Sequence, residues 1–135
     1  MATNIINDGQ FNPDTFNQWT PSTASLVTNP AEDNNYCHIE PTASVMQDIA
    51  YVVGTEYVFG FYSRSSYGGT VAMLDPTTGE TFFTASISSS TDWVYNQHAV
   101  TADESWSVYV ALHFEAPFNG TLDIDNVVMQ QYTDQ

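Results

Sequence analysis

The stretch Gly54-Thr-Glu-Tyr-Val-Phe-Gly-Phe-Tyr-Ser-Arg64 alternates aromatic residues with other residues over most of its length. In an extended strand, the odd-numbered residues from Tyr57 to Phe61 would share one face and the even-numbered residues from Val58 to Arg64 the other. A second stretch, Trp106 to Phe114, shows the same pattern: its even-numbered residues are all large and apolar. A period of two with one apolar face predicts a sheet that is covered on one side only.

On both sides of these two stretches, turn signals such as Asp8-Gly9, Asn29-Pro30 and Asp75-Pro76 separate short runs rich in Val, Ile, Thr, Tyr and Phe. Such runs are typical of strands. They predict ten strands: Asn4–Ile6, Ala24–Thr28, Tyr36–Glu40, Ser44–Tyr51, Glu56–Arg64, Thr70–Leu74, Thr81–Ile87, Trp93–Thr101, Ser105–Glu115 and Thr121–Tyr132. Without helical periodicity, a repeat or a linker, residues 1–135 are predicted to form one all-β domain. The predicted fold is a two-sheet antiparallel β-sandwich of the jelly-roll type.

The charge balance excludes several classes of partner. Sixteen Asp and Glu face a single Lys or Arg, Arg64, which gives a formal net charge of −15. Such a chain has almost nothing to neutralise phosphates, so neither nucleic acid nor an anionic membrane surface is an expected partner. No apolar run approaches the roughly 20 residues that cross a bilayer.

The cysteine count and the first residues bear on location. A single cysteine, Cys37, allows no disulfide within the chain, and it is predicted to be a buried apolar residue. Met1 to Asn4 show no basic stretch followed by an apolar run, so no signal peptide is visible. The expected location is extracellular or on a virion surface, reached after removal of a signal or by release with a virus particle.

Several motifs occur in the order found in one family. They are Asn4-Ile-Ile-Asn-Asp-Gly-Gln-Phe-Asn12 with Trp19, Met46-Gln-Asp-Ile49, Gly54–Phe61, Thr91-Asp-Trp93 with Val100-Thr101, and Leu122-Asp-Ile-Asp-Asn-Val-Val128. Together they resemble the β-jelly-roll carbohydrate-binding modules of the family 4, 9, 16 and 22 type. The resemblance extends from Asn4 to Met129. It implies a non-catalytic module that binds a glycan in a groove on a concave sheet, and often a structural calcium ion.

Aromatic rings stack on the apolar faces of sugars while polar side chains bond the hydroxyls. The faces of the central strands that point away from the core would offer Tyr62, Arg64, Tyr109 and His113. If Val94, His98 and Val100 point inward, Tyr95 and Gln97 lie on that outer face as well. The predicted ligand-binding residues are Tyr62, Arg64, Tyr95, Gln97, Tyr109 and His113. The alternative is that these are ordinary half-exposed sheet residues. Arg64, as the only strong cation, should either clamp a ligand carboxylate or pair with an acid.

For calcium, the resemblance points to Asp125 and to Asn12, which stands where the family carries Glu. Calcium takes about six to eight oxygen ligands, some of them charged. A neutral amide weakens such a site, and Asp125 could instead cap a turn or bond the N-terminal strand.

Catalytic and zinc-binding motifs are not expected. Cys37 and His38 are adjacent in a strand and would point to opposite faces, which does not suit zinc, and His98 is predicted to be a core histidine. No phosphate loop or nucleophile elbow is present. A glycosidase needs two facing carboxylates, which Glu40, Asp48, Glu56 and Glu115 could supply across strands, but a jelly roll this short leaves little room for a full substrate cleft. The chain is therefore predicted not to be an enzyme. An alternative function is a structural virion-surface protein, such as a capsid decoration or a fibre or adhesion protein, that contacts other virion proteins and uses the same fold.

Overall fold

The computed structural model describes Ile6, residues 19–29, 34–49, 51–102, Glu104, Trp106 and residues 110–131. Every structural statement below concerns these residues. Eight strands are seen: β1 Thr20–Asn29, β2 Asn34–Ile49, β3 Glu56–Ser65, β4 Gly69–Leu74, β5 Thr81–Ile87, β6 Ser90–Thr101, β7 Val110–Glu115 and β8 Leu122–Gln131.

All pairings between these strands are antiparallel, in the order β5-β4-β7-β2-β8-β3-β6, with β1 beside β2. The long strand β2 belongs to two groups. Its first part, at Cys37–Ile39, pairs with β8, and its second part, at Ser44–Ile49, pairs with β7. We call β6, β3, β8 and the first part of β2 the front half, and β5, β4, β7 and the second part of β2 the back half.

The inner faces of the two halves pack on each other through aromatic rings. Phe61 of β3 meets Phe114 of β7 edge-on, with ring centroids 4.9 Å apart. Phe59 of β3 meets Phe83 of β5 in the same way at 5.6 Å. The alternation expected for β3 is confirmed, because its odd-numbered residues from Tyr57 to Ser65 are all buried. The predicted all-β sandwich of the jelly-roll type is therefore confirmed.

The predicted strands Tyr36–Glu40 and Ser44–Tyr51 are one strand, β2, rather than two. Thr42 has a φ of 64° in the middle of it, which bends the chain where β2 passes from the front half to the back half. The Thr42 amide donates to the Pro117 carbonyl at 3.1 Å, and the Ala116 amide donates to the Ala43 carbonyl at 3.0 Å. These bonds hold the bend in place, so pairing continues where the sequence suggested a break.

Cys37 was predicted to be a buried apolar residue, and this prediction is confirmed. Cys37 is fully buried, while its neighbour His38 is partly exposed on the other face of β2. Burial raises the pKa of the Cys37 thiol to about 12, with a smaller contribution from the Asp123 carboxylate. Among the described residues, no helix is long and apolar enough to cross a membrane.

Candidate functional site

The outer face of the front half carries two exposed tyrosines side by side. Tyr62 of β3 and Tyr95 of β6 are direct cross-strand partners, and their rings lie 5.1 Å apart at 54°. They are 38% and 51% exposed. We call this pair the tyrosine platform. Directly opposed residues on one face of a sheet stabilise each other, so the two rings form one surface.

Glycine allows the platform to lie close to the sheet. Gly60 is on the same face of β3 as Tyr62, and a Cβ atom built there would lie only 2.7 Å from Cζ of Tyr95. The Tyr95 ring therefore lies across the backbone at Gly60. Gln97 is the cross-strand partner of Gly60 and is exposed, so its amide borders the platform on β6.

Arg64 lies two residues beyond Tyr62 on the same face, and its partner is Asp123 of β8. Its Nε and one terminal nitrogen donate to the same oxygen, Asp123 Oδ2, at 3.2 and 3.0 Å. The two Cα atoms are also paired in the sheet. Of the two roles foreseen for Arg64, the structure shows pairing with an acid.

The second oxygen of Asp123 is also engaged. His38 Nδ1 lies 2.7 Å from Asp123 Oδ1, and His38 Nε2 lies 3.7 Å from a carboxylate oxygen of Glu40. Only 14% of the Asp123 side chain is exposed, against 33% of the Arg64 side chain. A half-buried carboxylate thus has a cationic or hydrogen-bonding partner on each oxygen, as burial of a charge requires.

Two aromatic rings, those of Trp93 and Tyr36, also contact Arg64. We call Arg64 and the residues around it the arginine cluster: Asp123, His38, Glu40, Trp93 and Tyr36. The guanidinium carbon of Arg64 lies 4.6 Å from the ring centre of Trp93 and 5.2 Å from that of Tyr36. The two rings meet edge-on at 5.5 Å. Such cation–π contacts fix the plane of the guanidinium and leave it little freedom to turn toward a new partner.

A polar cleft of about 200 Å³ opens beside this cluster, at the end of β3. It is formed where the turn after β3 meets the starts of β6 and β8. Its lining residues, all polar, are Arg64, Ser65, Ser66, Ser90, Thr91, Thr121 and Asp123.

The structure does not bring all predicted ligand-binding residues together. Tyr62, Arg64, Tyr95 and Gln97 share the outer face of the front half. His113 lies on β7 between Met46 and Ala72, on the outer face of the back half, so the expectation that it shares a groove with the others was wrong. Burial lowers the pKa of His113, and the Glu115 carboxylate opposes this shift. Tyr109 lies outside the described residues.

Asp125 lies on the front half, opposite Tyr62. Burial raises the pKa of its carboxyl to about 6, although the Asn126 amide donates to Oδ1 at 2.8 Å and acts in the opposite direction. No group of three or more Asp, Glu, His or Cys side chains within the described ranges could hold a metal ion. Because Asn12 lies outside the described residues, calcium binding stays a prediction.

Sequence reasoning missed the partners of Arg64. Tyr36, His38 and Glu40 alternate along β2 and therefore share a face, which is a signal that was available in the sequence. Asp123 stands two residues before Asp125 and shares its face. Their convergence on Arg64 depends on the strand order β3-β8-β2, which no local pattern reveals.

Solved structures share this fold. A family 4 carbohydrate-binding module matches with a TM-score of 0.67 and 19% identity, over 96% of this chain and 95% of that one. A cyclase from Fischerella sp. TAU matches with a TM-score of 0.73 and 14% identity, over the full length of both chains. Modules of families 61, 22 and 29 match with TM-scores of 0.63 to 0.66. At these identities the likeness establishes the fold.

A phage protein contains the same fold as one part of a longer chain. The enzymatically active domain of tailspike protein 4 of bacteriophage CBA120 matches with a TM-score of 0.73 and 16% identity. The match covers 96% of this chain but only 21% of that one. No family model and no curated protein sequence matches this chain.

Proposed function

We propose that this chain is a non-catalytic glycan-binding module whose tyrosine platform stacks against a sugar ring. The observation that carries the proposal is the pair of exposed, adjacent rings of Tyr62 and Tyr95 on a sheet face. The recurrence of the fold among carbohydrate-binding modules of several families supports it.

The chemistry of the platform suits a sugar. A pyranose has an apolar face of C–H groups and a rim of hydroxyls, so it needs a ring surface bordered by hydrogen-bonding groups. Tyr62 and Tyr95 supply the surface. The amide of Gln97, which can both donate and accept, lies at one border. The arginine cluster lies at the other border.

Hydrolysis of the bound glycan is not part of the proposal. A glycosidase requires two carboxyl groups, one of which must act as a base or a nucleophile. The platform has Asp125 and Asp123 beside it on β8. Both carboxylate oxygens of Asp123 are already engaged, Oδ2 by Arg64 and Oδ1 by His38, so neither is free to act as a base or a nucleophile.

The test is binding to a panel of soluble polysaccharides by affinity gel electrophoresis, followed by calorimetry on those that retard the protein. We expect Tyr62→Ala and Tyr95→Ala each to weaken binding about tenfold or more, which corresponds to about 1.4 kcal/mol. Phe118→Ala is the matched control, because Phe118 is 82% exposed and lies in the turn between β7 and β8, outside the two strands that carry the platform. Unchanged binding by both tyrosine variants, or binding of no glycan by the wild type, would overturn the proposal.

A second candidate is that the domain belongs to a virion-surface protein and attaches the particle to glycans or to neighbouring virion proteins. The match to a part of a phage tailspike favours it. The net charge of −15 suits a surface that keeps particles apart by repulsion. The genes that flank this one provide the test: capsid, portal or tail genes would support the virion surface, and glycoside hydrolase genes would contradict it.

A further inference from the structure

The cleft beside Arg64 presents hydroxyl groups that other described residues do not use. The Ser65 hydroxyl is fully engaged, since the Gly68 and Thr121 carbonyls share its single proton and its oxygen accepts from two amides. Ser90 likewise caps its own turn. The side chains of Ser66, Thr91 and Thr121 have no hydrogen bond to another described residue, and all three are exposed or half-buried. They are available to a ligand.

The size of the cleft limits what it can hold. Pockets for drug-sized ligands measure roughly 300–1,000 Å³, whereas this cleft measures about 200 Å³. It has room for one sugar ring rather than for an oligosaccharide. Arg64 and Tyr62 are two residues apart on β3, about 7 Å along a strand. A glycan on the platform could therefore place its next residue in the cleft.

The arrangement of donors and acceptors distinguishes a hydroxyl from a carboxylate. Arg64 brings N–H donors, and Asp123 brings oxygens that only accept. A sugar hydroxyl can accept from the first and donate to the second at the same time. An ionised carboxylate or sulfate can only accept, so it would place its oxygens against those of Asp123.

The charges around the cleft also favour an uncharged ligand. Arg64 is already matched by Asp123, and Glu40 adds another negative charge beside His38. The rings of Tyr36 and Trp93 hold the guanidinium in its present plane. An incoming anion would meet a site with no surplus positive charge on a chain of net charge −15, and the resulting repulsion opposes binding.

We propose that the cleft is a subsite for one uncharged sugar residue, and that the Arg64–Asp123 pair excludes glycans that carry a carboxylate or sulfate at that residue. This inference rests on the proposed glycan binding and adds the class of sugar. It assigns Arg64 to recognition of hydroxyl groups and not to capture of an acid.

The experiment compares matched polymers: galactan with polygalacturonate, and unsubstituted xylan with glucuronoxylan. We expect the wild type to bind the neutral member of at least one pair at least tenfold more tightly than the acidic member. Equal binding, or tighter binding of the acidic member, would overturn the inference while leaving the tyrosine platform and the proposed function standing. Binding of neither member in either pair would count against both.

A variant tests the role of the pair directly. Asp123→Asn removes the carboxylate and leaves the positive charge of Arg64 unmatched, so the affinity ratio should move toward the acidic polymer by tenfold or more. Asp48→Asn is the matched control, because it makes the same charge change on the exposed outer face of the back half. A ratio that moves equally in both variants would show that net charge alone sets the preference. A ratio that moves in neither variant would show that the Asp123 carboxylate does not set it. Either outcome would overturn the inference. If Asp123→Asn does not fold, the affinities of the wild type for the neutral and the acidic polymers test the inference alone.

Discussion

The ring of Tyr95 lies across the backbone of Gly60 on the neighbouring strand, so that the space of a missing side chain is filled by the ring. Gly60 is not among the described glycines with positive φ. Its role is therefore to let the ring approach closely rather than to permit an unusual backbone. The glycine at this position sets the height and tilt of the tyrosine platform.

Gly60→Ala should therefore impair binding without unfolding the protein. The new methyl group would lift the Tyr95 ring, and we expect a loss of glycan affinity close to that of Tyr95→Ala. The free energy of unfolding should change by less than about 1 kcal/mol, because alanine suits a strand better than glycine and the flexible ring can move. The double variant Gly60→Ala/Tyr95→Ala should bind no worse than either single variant; additive losses would contradict this account.

Arg64→Gln should lower stability. The substitution removes two charge-assisted hydrogen bonds to Asp123 and the stacking on Trp93 and Tyr36, while Asp123 stays largely buried. We expect the free energy of unfolding to fall by about 1–2 kcal/mol, measured by urea denaturation. Arg64→Lys keeps the positive charge but loses the planar arrangement of N–H donors. Its free energy of unfolding should therefore lie between that of the wild type and that of Arg64→Gln. If Arg64→Gln unfolds at the same urea concentration as the wild type, the arginine cluster does not stabilise the fold.

Asp125 should make stability depend on pH. Burial raises its pKa from 3.8 to about 6 in the folded protein, so the folded state binds this proton more tightly than the unfolded state. The contribution is fully present below about pH 4 and is lost as pH rises through 6. Asp125→Asn should remove this slope and gain about 1–2 kcal/mol at pH 7 relative to the wild type. Urea denaturation of both proteins between pH 3 and 8 provides the measurement, and parallel curves would contradict the expectation.

The same pair of proteins tests calcium. A site that uses Asp125 would make the melting temperature of the wild type rise with calcium chloride and fall again with EDTA. Asp125→Asn should show neither change. If calcium raises the melting temperature of both proteins equally, Asp125 is not a ligand.

Cys37 should be unreactive in the native protein. Its thiol is fully buried, and its pKa of about 12 means that about one molecule in ten thousand carries the thiolate at pH 8. Labelling by a disulfide reagent such as DTNB should follow the unfolding transition in urea. Rapid labelling without denaturant would show that the front half opens easily near β2.

Sequence reasoning reached the fold because alternation is a local property. The pattern from Tyr57 to Arg64 placed Phe59 and Phe61 inside and Tyr62 and Arg64 outside, and β3 follows it. The strand Thr81–Ile87 was predicted with the bounds that the structure shows. The bend at Thr42 was missed because a β-branched residue with φ of 64° is held there by partners that are distant in sequence. The Thr42 amide donates to the Pro117 carbonyl, and the Ala116 amide donates to the Ala43 carbonyl.

The site could be predicted only in part. Alternation separates core from surface, but a sandwich has two outer faces, and the pattern does not say which one a strand presents. His113 was therefore grouped with Tyr62 although the two lie on opposite halves. Likewise, the pairing of Arg64 with Asp123 required knowledge that β3 and β8 are neighbours. Strand order is set by long-range pairing and is not encoded in spacing.

The passage of β2 through both halves has a consequence for folding cooperativity. The strand β2 pairs with β8 at one end and with β7 at the other, so detachment of either half would strip β2 of part of its hydrogen bonds and destabilise the half that remains. We expect one unfolding transition by every probe, with the amides of β2 among the slowest to exchange with deuterated water. The bent strand thereby makes two hydrogen-bonded groups a single cooperative unit.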